Sequence, residues 1–140
     1  MSQVFSLIHQ FNAMYGIPTP TQPTVTDGLL GRLIQFKAMM LKEIEEVDVV
    51  IAKMQTEEYT SADVLTEISD WLGDIIVYAG SEALRHGIPI DKVLEIIMAS
   101  NFSKLQDDGT AKFVEGHLEK GPNYWKPEPM IRDLLIRSVA

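Results

Sequence analysis

The chain contains no cysteine, which excludes a disulfide framework and any thiolate metal site. Basic residues are scarce: 12 Lys plus Arg stand against 20 Asp plus Glu, a formal net charge of −8. That balance repels a phosphate backbone and argues against general nucleic-acid binding. A small polyphosphate stays compatible with it if metal ions offset the acids. No run approaches the roughly 18 apolar residues a membrane span requires, so none is expected. The first 26 residues carry no Lys, Arg, Asp or Glu. They do contain Asn12, Gln22 and three prolines and have no basic start, a poor fit to a signal peptide. A cytoplasmic location is the default expectation. A Walker loop and a GxSxG elbow are both absent. No histidine stands in the Glu-x-x-His arrangement of a di-iron carboxylate bundle.

What is present is enough apolar residue, 46% of 140, to build one packed domain spanning residues 1–140. Val4, Phe5, Ile8, Phe11 and Met14 recur at helical spacing, which predicts a helix over 2–14 ended by Gly16 and Pro18. Asp27 is a candidate cap for a second helix running to about Met54. Thr60 with Asp63 resembles a capping box, and Ser61 is an equally good cap, for a third helix closed by Gly87. Pro89 suits the first turn of a fourth, over about 90–105. An irregular stretch with a short hairpin around 110–118 leads to a last short helix over 129–138. The expected fold is all-α: a four-helix bundle with an irregular segment and a short helix at the C-terminus.

Two acidic pairs carry the chemistry. Glu43 and Glu46 stand three apart on the second helix, and Glu67 and Asp70 three apart on the third, so each pair shares a helix face. With the turn at about 55–60, Glu46 and Glu67 lie about 14 and 11 Å from it along their helices. Glu43 and Asp70 come out at about 18 and 15 Å, so an antiparallel hairpin brings the pairs level. Four carboxylates that close repel one another unless cations sit among them, and all-oxygen ligands suit Mg²⁺, with Mn²⁺ as the alternative. Asp74, one turn beyond Asp70, is a further ligand or orients one. The same arithmetic across Gly87 puts Asn101 and Lys104 level with the acids, where an amide and an ammonium suit phosphate oxygens. Against this stands the plain alternative that an acidic chain places such pairs on solvated faces by chance.

Other residues read more simply. His9, His86 and His117 look like surface or helix-end residues. Met39, Met40, Met54, Met98 and Trp71 read as core. Lys120-Gly121-Pro122-Asn123 offers a cation and an amide on a loop, or simply a turn. Tyr124 and Trp125 follow it and are harder to explain as core.

The ordered set of phrases resembles the all-α nucleoside triphosphate pyrophosphohydrolases: MazG-like proteins, dimeric dUTPases and phosphoribosyl-ATP pyrophosphohydrolases. The ExxE–spacer–ExxD signature of that superfamily is matched by Glu43-x-x-Glu46 and Glu67-x-x-Asp70, with 20 residues between them. FNAMYGIPTPTQP, SDWLGDIIVYAGSEALRHGIPID, SNFSKL and KGPNYWKPEP are similar to phrases of a MazG-like branch related to dUTPases, and the likeness spans about residues 4–129. It implies a Mg²⁺-dependent enzyme of the MazG-like bundle type, cutting nucleoside triphosphates to monophosphate and pyrophosphate, with dUTP-like substrates and a role in cleansing nucleotide pools. Glu43, Glu46, Glu67 and Asp70 would hold the metal, with Asp74 assisting. Asn101, Lys104, Lys120, Asn123 and Tyr124 would meet phosphate, sugar or base. Asn12, where the branch commonly has His after Phe, bears on base or sugar preference. A homodimer or homotetramer is implied, with the apolar 130–139 segment suited to its interface. Two alternatives stand beside this: a phosphoribosyl-ATP pyrophosphohydrolase, and a non-catalytic nucleotide-binding helical dimer.

Overall fold

The computed structural model describes residues 1–56 and 58–139, and these are predominantly helical. The order is α1 (Gln3–Met14), α2 (Leu29–Glu45), α3 (Val47–Met54), α4 (Ser61–Arg85), α5 (Ile90–Phe102), β1 (Phe113–Val114), β2 (His117–Leu118) and α6 (Glu128–Val139). The two strands pair antiparallel, Phe113 opposite Leu118, in the hairpin expected around 110–118. α4 is the organising element: α1, α2, α3 and α5 all pack on it, and α6 packs on α5.

Local chemistry explains most boundaries. The Ser2 hydroxyl caps α1 by accepting the N–H of Phe5. Thr60 and Asp63 form a reciprocal capping box, which decides for Thr60 over Ser61 as the start of α4. The close of α4 needs Gly87, which holds φ +67°. A Cβ there would also meet the main-chain carbonyl of Gln22, on the proline-rich segment that docks through the N–H of Thr24 onto the His86 carbonyl.

Three expectations need correction. Asp27 does not cap the second helix: Gly28 occupies the cap position and no side chain bonds there, the Leu29 N–H going to the Thr26 carbonyl. That helix does not run unbroken to Met54. It tightens at Glu46, where the N–H of Glu46 bonds the Glu43 carbonyl and the N–H of Val49 bonds the Glu46 carbonyl, each three residues back. Like charges three apart (Glu43 with Glu46, Glu45 with Asp48) and the β-branched Val47, Val49, Val50 and Ile51 weaken a regular helix at this point. α5 stops at Phe102 rather than about 105: the Ser103 N–H still reaches the Ala99 carbonyl, but those of Lys104 and Leu105 bond three residues back, to Asn101 and Phe102.

The core is thin. Ile8, Val50, Ala83, Leu84 and Val93 are the buried apolar residues among those described, while Met39, Met54 and Met98, read from the sequence as core, are exposed. The chain presents 10134 Å² to solvent. A folded monomer of this mass exposes about 7,300 Å². What fastens α4 in place is largely polar. Asn12, fully buried, donates to the Ser81 carbonyl (3.0 Å) and accepts from the Ser81 hydroxyl (2.6 Å), clipping α1 to α4. Arg32 of α2 donates Nε to both oxygens of the buried Glu82 carboxylate (3.1 and 3.0 Å), and His86 Nε2 lies 2.9 Å from the same group. Burial alone would raise the Glu82 carboxyl, but the bonds from Arg32 and His86 outweigh it and hold its pKa below the usual value. Glu82→Ala would strand the Arg32 guanidinium, and chemical denaturation should register a loss of about 3 kcal/mol.

Candidate functional site

A hydrogen bond between α2 and α4 lies at the level of the acidic pairs. Trp71 donates its indole N–H to the main-chain carbonyl of Glu43 (2.8 Å). Trp71 lies between Asp70 and Asp74 in sequence, so the bond draws the acidic face of α4 onto the end of α2. Glu46 at the helix break, and Glu67, Asp70 and Asp74 on α4, line one cleft of about 480 Å³ together with Lys53 and Thr66. Glu43 stands behind this wall and is buried, at 7% exposure. Its Oε1 is shut away from solvent without a hydrogen-bond partner. Burial and the charges of Glu46, Asp74 and Asp70 push its pKa above the usual carboxylate range.

Glu67 is held differently. Lys53, in the last turn of α3, donates to Glu67 Oε1 at 2.7 Å. That bond holds the Glu67 carboxyl below its ordinary pKa. Tyr59 stands beside it, its hydroxyl pushed up to about 12 by burial and by the Glu67 carboxylate. Among the described residues no three acidic or imidazole side chains are close enough, as they stand, to grip one ion together. The residues nonetheless suit a divalent cation. An orphaned buried carboxylate oxygen among mutually repelling acids is what a hard cation relieves, and every donor is an oxygen. Glu43, Glu46 and Asp70 could hold it, with Asp74 alongside and Glu67 once released from Lys53.

The predicted cations and amides form a second group. Lys104 and Lys120 both face the Tyr124 ring, their ammonium nitrogens 6.0 and 4.9 Å from its centroid. The Gly121 N–H bonds the Lys104 carbonyl (2.8 Å), and a Cβ on Gly121 would strike the Leu105 carbonyl, so glycine is needed for this approach. The Ser100 hydroxyl donates to the Trp125 carbonyl, and the Trp125 N–H donates to Ser103 Oγ. SNFSKL and KGPNYW are thus stitched together. Asn123 donates to Asp107 (3.1 Å), and Asn101 is half-buried at the end of α5. None of these residues lines the acidic cleft, whose walls come from α3, α4 and the break at Glu46. Asn12 also stands apart, inside the α1–α4 contact with its carbonyl and amide engaged by Ser81.

Asp74 has a further position. It also lines a neighbouring cleft of about 390 Å³, where Phe11, Phe36 and Tyr78 gather with Arg32 and Arg85. Lys53 and this aromatic cleft were not anticipated. Lys53 lies only about 3 Å from the turn along its helix against about 11 Å for Glu67, so the level arithmetic that matched the acids does not pair them, and the long lysine side chain spans the difference. The aromatic cleft draws on three helices, and spacing within one helix carries no trace of it.

No family profile matches the chain, and neither does any curated protein.

The Glu43 shift gives a pH signature. Its pKa is raised on folding, so its contribution to stability is present below the unfolded value of 4.5 and lost as pH rises through the folded value. In metal-free buffer at pH 7, Glu43→Gln should therefore melt above the wild type. The gap should close as pH falls towards 4.5, which thermal scans across that range would detect.

Proposed function

We propose that the chain is a divalent-metal-dependent nucleoside triphosphate pyrophosphohydrolase, releasing monophosphate and pyrophosphate. The observation that carries this reading is the gathering of Glu46, Asp70 and Asp74 in one cleft, with Glu43 buried behind them and one of its carboxylate oxygens left unpartnered. Mg²⁺, or Mn²⁺, is the cofactor such donors favour. Bound there, the ion would supply positive charge against the triphosphate and ease removal of a proton from the attacking water. Glu46, exposed in the cleft at the helix break, takes that proton as general base, and Glu43 behind it keeps the ligand set in place. Attack falls on the α-phosphorus, and the leaving pyrophosphate needs cations. Lys104 and Lys120 carry no carboxylate partner among the described contacts and suit that task, with Asn101, Asn123 and Tyr124 close by in the chain. The cleft shared through Asp74 offers aromatic faces for a base. This fits the phrases resembling MazG-like enzymes, with dUTP-like substrates as the first candidates and nucleotide-pool cleansing in the cytoplasm as the role.

A homodimer or homotetramer belongs to the same reading. The chain exposes about 2,800 Å² more than a monomer of its mass, an amount in keeping with an obligate interface. Leu135, Ile136 and Val139 of α6 face Val25, Leu29 and Leu33 across an apolar groove of about 780 Å³ that a second copy would fill. Lysines remote from the acidic cleft of their own chain then become available to a neighbour's.

A panel of nucleoside triphosphates with Mg²⁺, including dUTP and dCTP, assayed for pyrophosphate, tests the chemistry. Glu46→Gln and Asp70→Asn should each lower kcat by about 100-fold or more. Release of orthophosphate alone, or undiminished variants, would overturn the reading. Much faster turnover of phosphoribosyl-ATP would reassign the substrate, and tight binding without product would make the protein a nucleotide-binding module. Sedimentation at micromolar concentration should find dimer or tetramer and little monomer.

A further inference from the structure

Lys53 is the single basic side chain among the described residues lining the acidic cleft. Its placement is specific. The base of the side chain is fixed at the end of α3, where its own carbonyl accepts both the N–H (3.0 Å) and the hydroxyl (2.8 Å) of Thr56. The ammonium has two partners. One is Glu67 Oε1 at 2.7 Å, and the other is the face of Tyr59, 5.6 Å from the ring centroid. Neither contact is sealed: the Lys53 side chain is 46% exposed and that of Glu67 32%. An exposed pair of this kind exchanges readily. Yet Glu67 lines the same cleft as Glu46, Asp70 and Asp74, and its carboxylate is turned to Lys53 rather than in among the other acids.

We propose that Lys53 is the resident counter-ion of the cleft: it holds Glu67 in the metal-free protein, yields Glu67 to a divalent cation, and then, resting against Tyr59, donates to a phosphate oxygen of the triphosphate. The inference rests on the metal-dependent triphosphate reading given above. It makes one side chain act in two ways. Towards the bare cation Lys53 is a competitor, because it occupies a ligand and adds like charge. Towards the metal–triphosphate complex it is a partner, because it supplies an ammonium to an anion. Removing it should therefore help one binding step and harm the other, a pattern that loss of packing alone would not produce.

Full-length wild type, Lys53→Met and Lys53→Arg would be titrated with Mn²⁺ in the absence of nucleotide, by calorimetry and by electron paramagnetic resonance of free Mn²⁺. KM for the triphosphate turned over best would be measured in parallel. Lys53→Met should bind Mn²⁺ tighter, by up to about fivefold. Its KM should rise about tenfold, with a smaller change in kcat. Lys53→Arg, which keeps the cation, should stay near wild type in both. Unchanged or weaker Mn²⁺ binding by Lys53→Met beside a wild type that binds normally would overturn the counter-ion role while leaving the metal site standing. Tighter Mn²⁺ binding with an unchanged KM would overturn the triphosphate contact. A wild type that takes up no Mn²⁺ would overturn the metal reading, and this inference with it.

Discussion

The bond from the Trp71 indole to the Glu43 carbonyl governs the site because it fixes the register of α2 against α4 at the level of the acids. Both helices carry apolar residues along much of their length, and apolar contact by itself is not directional. A directional bond to a main-chain atom tolerates no slip between them. The Thr60 capping box sets where α4 begins, and Arg32 with Glu82 anchors its far half. Between these fixed points Asp70 and Asp74 are brought to Glu43 and Glu46.

The arrangement costs stability. A buried carboxylate that repels three others is a strained element, and its neighbours show how the strain is contained. The helix breaks at Glu46, and that carboxylate lines the open cleft. Lys53 neutralises Glu67 from the other wall. Such tension between local stability and the gathering of like charges is characteristic of functional sites.

Much of the backbone was legible in the sequence. Apolar spacing gave α1 and α4 nearly to the residue, and Gly16, Thr60 and Gly87 marked their boundaries by chemistry that acts within a few residues. The level of the acidic pairs was read from helix rise alone, and Glu46, Glu67, Asp70 and Asp74 line one cleft. What failed depended on context. Asp27 has the composition of a cap, but Gly28 takes the place. The break at Glu46 comes from repulsion and β-branching summed over several positions, none a breaker by itself. Met39, Met54 and Met98 have the periodicity of core residues, and a single chain leaves them uncovered. Asn12 stood in a phrase that suggested ligand contact, yet spacing cannot say that Ser81 engages it.

The close seat of Gly121 on the Leu105 carbonyl bears on the two lysines beyond it. With main chain bonded to main chain at that point, Lys104 and Lys120 belong to one rigid knuckle rather than to two wandering segments. The entropy of bringing two ammoniums to one aromatic face is lost when the chain folds. Any side chain at residue 121 would wedge the knuckle apart and leave the two lysines to wander separately.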